Sequence, residues 1–335
     1  MSNGKEQMNL LRFLIPLFLS LLLSPVITLA GDVEIKEWKV PYEKTRPRDP
    51  FVDAKGRVWF CGQGGAYLAY LVPETGEFRK YDLGKGEGPH NLIIDKEGFV
   101  WYAANTKPFI GKLNPDNGDV VKYEMPGTDA TDPHTLVFNS AGDIWFTLQS
   151  SNMIGKLKVK TGEVTLIPIP VKRARPYGIK VDAQDRPWVA LFGTNKLASV
   201  DPETMALSIH ELSRSEARPR RLVISKDGNI WYGDYNEGKL GRFQPADGSV
   251  TEWQLPGGED ARPYGMVKDD KETIWIGTRQ SPNWLVGFSI RQEKVISVTD
   301  IPNARGSVRH MYFHPPTREI WFGEDTNYIG RARAP

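Results

Sequence analysis

The sequence predicts an all-β fold arranged as a ring of repeated sheets, and three observations carry that prediction. First, "GRVWF", "GFVWY", "GDIWF", "DRPWV", "GNIWY", "ETIWI" and "REIWF" place Trp59, Trp101, Trp145, Trp188, Trp231, Trp275 and Trp321 at intervals of 42 to 46 residues. A fixed period in this range marks a repeat architecture. Second, each repeat breaks into four short hydrophobic runs separated by turn residues, with no helical periodicity. Third, the ends complement each other. The last unit, "SVRHMYFHP", "REIWFGE" and "YIGRARA", stops one strand short, while "VEIKEWKVP" near the N-terminus reads like the outer strands "VTEWQLP" and "VVKYEMP". A strand from residues 33 to 40 completing the seventh unit would close the ring and hide the edges an open array exposes. The expected architecture is a seven-bladed propeller of four-stranded blades.

The elements follow in chain order. Residues 1–30 read as a secretory signal peptide. Lys5 and Arg12 precede the apolar run "FLIPLFLSLLLSPVITLA", which ends in the small residues Thr28 and Ala30. Export to the periplasm or medium is expected, with no membrane attachment after cleavage. Residues 31–335 form one domain, expected to be a monomer. Each blade opens on an x-Pro pair, as in "GPHNLII", "DPHTLVF", "RPYGIKV", "RPRRLVI" and "RPYGMVK". A polar turn ("DKEG", "NSAG", "SKDG") leads to the Trp strand. A third strand such as "FIGKLNP" or "KLGRFQP", a Gly-bearing turn and an outer strand complete the unit. A large aromatic at one position of every blade is what packing between blades requires.

Composition narrows the function classes. Hydrophobic residues are 40%, charged residues 25% and the formal net charge is +2. That describes a globular protein with a real core and no global field for nucleic acid. Cys61 is the only cysteine, so the chain has no internal disulfide, cysteine metal site or haem-attachment motif, and Cys61 itself reads as a small buried hydrophobe. No nucleotide site is expected.

In a propeller the first strand of each blade is innermost, so its start faces the channel mouth. The x-Pro-x starts are Asp49 and Phe51, Gly88 and His90, Asp132 and His134, Arg175 and Tyr177, Arg218 and Arg220, Arg262 and Tyr264, and Ser307 and Arg309. Four residues past each Trp stand Gln63, Asn105, Gln149, Phe192, Tyr235, Arg279 and Asp325. Loops at one end of a rigid scaffold are where function collects. Arg220, Arg221, Arg279 and Arg309, joined by Arg175, Arg218 and Arg262, give the rim a positive potential suited to an anionic small molecule or peptide, with Tyr177 and Tyr264 beside them. His90 and His134 hold matched positions in adjacent blades. His310 and His314 are four residues apart in a strand, roughly 13 Å, too far to share an ion. His210, in the outer strand "LSIHEL", is expected at the surface.

The repeated "RPYGI…IWF…IGKL" blades resemble the streptogramin B lyase (virginiamycin B lyase) family of seven-bladed propellers, over essentially all of residues 33 to 333. The resemblance implies a ring-opening elimination of a cyclic ester or depsipeptide. In it a histidine removes a proton α to a carbonyl, Mg²⁺ steadies the enolate, and an ester oxygen leaves as carboxylate. The family carries Pro-His in its sixth blade, acid-Pro-His in its seventh, and a second acid four residues past the seventh Trp. Here the sixth-blade histidine is Tyr264, acid-Pro-His is Ser307-Val308-Arg309, and only Asp325 remains. Rotated around the ring, blades two and three supply part of the pattern: Pro89-His90, then Asp132-Pro133-His134, with Gln149 where the second acid would stand. On this reading His134 is the base, His90 a substrate contact, and Asp132 with Gln149 the ligands of a magnesium ion. An alternative is a non-catalytic propeller that binds an anion at the arginine rim. A lactonase of the gluconolactonase type would need several converging metal ligands, and Asp49, Asn105, Asp132 and Asp325 are dispersed around the ring.

Overall fold

The computed structural model describes residue 1, residues 33–43 and residues 45–335. The expected signal peptide therefore lies almost wholly outside the described residues. Among those described, no helix is long and apolar enough to cross a membrane.

The chain forms seven four-stranded antiparallel sheets, six of them built from strands consecutive in sequence. In the seventh, Ile35–Lys39 takes the outer position, paired with Tyr328–Arg333. Seven hydrophobic clusters lie among the described residues, one between each pair of neighbouring sheets, and Trp321 and Ile329 of the seventh sheet pack with Val58 and Phe60 of the first. Each cluster holds one of the seven repeated tryptophans, all buried. Burying a ring of that size contributes on the order of 2–3 kcal/mol, so the Trp period is the period of the interfaces.

Two further repeat features have local causes. Six residues before the Trp, Asp53, Asp95, Asp182 and Asp269 each accept the indole N–H, at 2.7 to 3.0 Å. The same carboxylates accept amides of the turn that joins the first two strands, as Asp269 does from Lys271 and Thr273. One side chain thus shapes the turn and satisfies a buried donor. The glycine of "IGKL" lies under the aromatic that follows the Trp. A Cβ at Gly111, Gly155, Gly241 or Gly330 would come within 2.2 Å of the ring of Tyr102, Phe146, Tyr232 or Phe322.

The inner strands are Pro47–Val52, Pro89–Ile94, Pro133–Phe138, Pro176–Val181, Pro219–Ile224, Met266–Lys268 and Val308–His314. All but the sixth show a register irregularity just after their start. Such a bulge re-aims side chains, and in those six blades it turns two consecutive residues into the channel. The register corrects one sequence expectation. Pro47, not Pro50, pairs at the position of Pro89 and Pro133. Arg48 is therefore the first-blade equivalent of His90, and Asp49 sits one layer deeper. His210 also departs from expectation. It is half-buried, 4.9 Å from the Trp188 ring and 3.0 Å from Ser199 Oγ.

Candidate functional site

Two rings of side chains fill the channel near one end. The outer ring is Arg48, His90, His134, Tyr177, Arg220, Tyr264 and Arg309; beneath it lie Asp49, Asn91, Thr135, Gly178, Arg221, Gly265 and His310. Gly178 makes the lower ring compact, since a Cβ there would stand 2.9 Å from the Arg221 Cα.

Contacts cross the ring. Tyr177 Oη lies 2.6 Å from Tyr264 Oη, joining blades four and six. Arg221 Nη2 approaches Asp49 Oδ2 at 3.7 Å, joining blades five and one, while its Nη1 donates to Thr135 Oγ1 at 3.2 Å. Asp49 also accepts from Arg48 Nε at 3.0 Å and Asn91 Nδ2 at 2.8 Å, and it holds a left-handed backbone at φ 51°. Burial alone would raise its carboxyl, but Arg48, His310, Arg221 and the Asn91 hydrogen bond hold it well below the usual carboxylate range. The His310 imidazole is pushed down to about 3, by burial and by Arg221 against the pull of Asp49.

The cationic side is in excess. Arg48, Arg220, Arg221 and Arg309 face only Asp49 and Asp325 as carboxylates, a surplus of two (4 − 2). Arg309 is committed: it grips Asp325 through Nε and Nη2 at 2.7 and 2.8 Å and donates Nη1 to Tyr264 Oη at 3.0 Å. Arg220 is not. Its guanidinium carbon lies 3.5 Å from the Tyr264 ring centre, 4.4 Å from Tyr235, 4.5 Å from Phe192 and 4.8 Å from Tyr177. Its one hydrogen bond is a long one, 3.4 Å to Tyr177 Oη, and its Nε is buried without a partner. Arg279 stays exposed on the rim and donates to Tyr235 Oη.

The two histidines do converge, with ring centres 3.7 Å apart. Burial, then Arg221 and Arg48, push the His134 imidazole well below its ordinary value; burial, Arg48 and His134 do the same to His90. Both are neutral. The Thr135 hydroxyl receives Arg221 Nη1 and lies 2.8 Å from His134 Nδ1. Arginine only donates, so the hydroxyl hydrogen is left free to go to His134 Nδ1. By this assignment from the bonding pattern the ring proton sits on Nε2, which is buried and unpartnered.

Asp132 is not aimed at His134. Its carboxylate accepts Ser150 N at 2.5 Å, Ser151 N at 2.9 Å and Ser151 Oγ at 2.7 Å, capping the turn after the Trp strand. Gln149 stands half-buried at the end of that strand. Among the described residues no three His, Cys, Asp or Glu side chains are grouped to hold a metal. Magnesium prefers carboxylate and water oxygens, and the carboxylates here are taken: Asp49 by Arg48, Asp132 by turn amides, Asp325 by Arg309. The residues present do not fit the ion.

The sequence reading missed Arg48 as a channel residue, and with it the lower ring of Asn91, Thr135 and His310. A signal was available: the initiating proline stands twelve residues before the Trp in blades two to six, and in blade one that spacing selects Pro47.

No curated protein matches the sequence closely enough to count as a relative. Among solved structures, virginiamycin B lyase from Staphylococcus aureus superposes with a TM-score of 0.82 at 20% identity, covering 91% of this chain and 100% of that one. A catalytically inactive variant of that lyase with quinupristin gives 0.82 at 21% identity, over 91% and 100%. Hydrazine synthase from Kuenenia stuttgartiensis reaches 0.73 at 12% identity, over 93% and 99%. At such identities superposition speaks for the fold alone. The sequence model of the virginiamycin B lyase family, however, matches residues 33–332, and the chain belongs to that family.

Proposed function

We propose that this protein binds an anionic small molecule or peptide carboxylate at the arginine-rich mouth of its channel. Arg220 carries this reading: a guanidinium ringed by four aromatic side chains, with no carboxylate partner, above a channel with surplus positive charge. A desolvated, unpaired cation is unfavourable until an anion meets it. The aromatic walls keep the guanidinium in place and water away. The test is calorimetric titration with sulfate and small dicarboxylates at two ionic strengths. Binding that weakens with salt and is lost in Arg220→Gln is expected. Wild-type protein that binds none of these anions at millimolar concentration would refute the reading.

A second reading, eliminative opening of a cyclic ester, is favoured by family membership and by the unpartnered His134 Nε2. Against it, Asp132 serves a turn and is not aimed at His134. Turnover of a streptogramin-type depsipeptide to a product with a new double bond, lost in His134→Ala, would establish it. The apolar leader "FLIPLFLSLLLSPVITLA" supports an exported protein in either case.

A further inference from the structure

We propose that Tyr177 and Tyr264 hold one proton between them, giving the channel mouth a phenolate base beside the anion seat at Arg220. The inference deepens the anion-binding reading and rests on it for the ligand, but the proton sharing stands on its own geometry.

The argument begins with a count of hydrogens. Two neutral phenols carry two O–H groups. Tyr177 Oη has Tyr264 Oη at 2.6 Å and Arg220 Nη2 at 3.4 Å; Tyr264 Oη has Tyr177 Oη and Arg309 Nη1 at 3.0 Å. Both arginine contacts are donors. One phenol hydrogen bridges the two oxygens, and the other has no acceptor among the described residues. Removing it leaves every contact satisfied, with one negative charge spread over two oxygens and faced by two guanidinium groups; the mouth then keeps a surplus of one positive charge, and Arg220 Nε stays without a partner for the ligand.

The surroundings agree. Arg48, Arg220 and Arg221 bring positive charge to the pair from blades one and five, and Arg309 from blade seven. The Asp325 carboxylate is turned to Arg309, Asp49 lies a layer below, and His134, against the Tyr177 ring at 4.3 Å, is neutral. Burial raises a phenol, yet these arginines outweigh it at Tyr177 and bring it down to about 7.

A ligand suited to this pair is an anion whose carboxylate rests on Arg220 and whose carbon between that carboxylate and a carbonyl bears an acidic hydrogen. The C–H bond breaks, its proton forms an O–H on Tyr177, and the electron pair moves onto the adjacent carbonyl oxygen as an enolate.

Ultraviolet titration of the intact protein measures the first part. A tyrosinate band is expected near neutral pH in the wild type, lost in both Tyr177→Phe and Tyr264→Phe. A first tyrosinate appearing only near pH 10, where free tyrosine ionises, overturns the proposal without any variant. Oxaloacetate, a dianionic carbon acid, probes the second part. Wild type is expected to speed its deuterium uptake from heavy water by roughly a hundredfold over Tyr177→Phe. Oxaloacetate that binds by calorimetry without faster exchange overturns the base. Oxaloacetate that does not bind, with the neutral-pH tyrosinate intact, overturns the anion seat instead.

Discussion

The His90 and His134 rings stack 3.7 Å apart inside the channel, and His90 Nδ1 donates to the His134 carbonyl oxygen at 3.1 Å. Protonating either would place a cation against its neighbour and beside Arg48 and Arg221. His310, one layer down, is in the same position. All three have folded values below the ordinary histidine range. A depressed base contributes stability that is present above the unfolded value and lost as pH falls. The protein should therefore lose stability from about pH 6.5 downward, with as many as three of the protons taken up on unfolding going to this cluster and others to His210 and His314, which burial also lowers. Denaturant melts between pH 7 and pH 4 check this. His134→Asn should flatten the slope by about one proton, and an unchanged slope would refute the assignment.

The same stack shows what the sequence could and could not say about the site. The Trp period, the turns and the matched positions of His90 and His134 were legible because repetition makes each residue's address readable from its neighbours. The partners were not. Tyr177 meets Tyr264 across two blades, and Arg221 meets Asp49 across the channel. The second pairing depends on the bulges of blades one and five, which bring Asp49 and Arg221 inward where strand alternation would send one residue of each pair out, and the first on the reach of two long rings across a closed ring of blades. Asp132 misled for a related reason: an acid before Pro-His reads as chemistry, while its oxygens reach forward to Ser150 and Ser151.

Because Asp132 caps that turn with three hydrogen bonds, Asp132→Ala should lower stability by about 1–3 kcal/mol. Millimolar Mg²⁺ should leave the melting temperature of wild type and variant alike. A magnesium-dependent rise in wild type that vanishes in the variant would restore Asp132 as a ligand.

Trp145 lacks what Trp59, Trp101, Trp188 and Trp275 have. Its indole N–H is buried without an acceptor, because Asn139 stands where those blades have aspartate and its Oδ1 is occupied by Asp143 N at 2.8 Å. Asn139→Asp offers a second oxygen in place of an amide N–H₂. It should stabilise by about 1 kcal/mol, read as a higher denaturant midpoint at constant slope. Asp269→Ala, removing three bonds from a buried turn, should cost about 2–3 kcal/mol.

Glu324 is fully buried, and burial together with the neighbouring Glu37 pushes it up to about 9. A raised carboxyl favours the folded state below its unfolded value, about 4.3, and that contribution is lost as pH rises toward 9. Glu324→Gln removes the penalty without changing shape. Melts at pH 4 should barely distinguish the proteins, while at pH 8 the variant should be more stable by about 1–3 kcal/mol. Equal stability at pH 8 would mean that the carboxyl is ionised in the fold at no cost.

The last prediction joins stability to the site. Asp49 answers two buried guanidinium groups, Arg48 at 3.0 Å and Arg221 at 3.7 Å, and Arg221 keeps Nε and Nη2 without hydrogen-bond partners even so. Asp49→Asn keeps the shape and removes the charge, leaving four arginines of the channel against Asp325 as the one carboxylate and the charge shared by Tyr177 and Tyr264. Losing one partner of a buried pair costs about 3–5 kcal/mol, and here the loss falls on two cations. If the mouth admits anions, sulfate should restore part of the lost stability. The restoration should saturate, and it should shrink when Arg220→Gln is added. Equal stabilisation of wild type and Asp49→Asn would point to the general effect of excluded salt on the protein surface. Sulfate would then not be entering the channel, and the surplus charge would be balanced by other means.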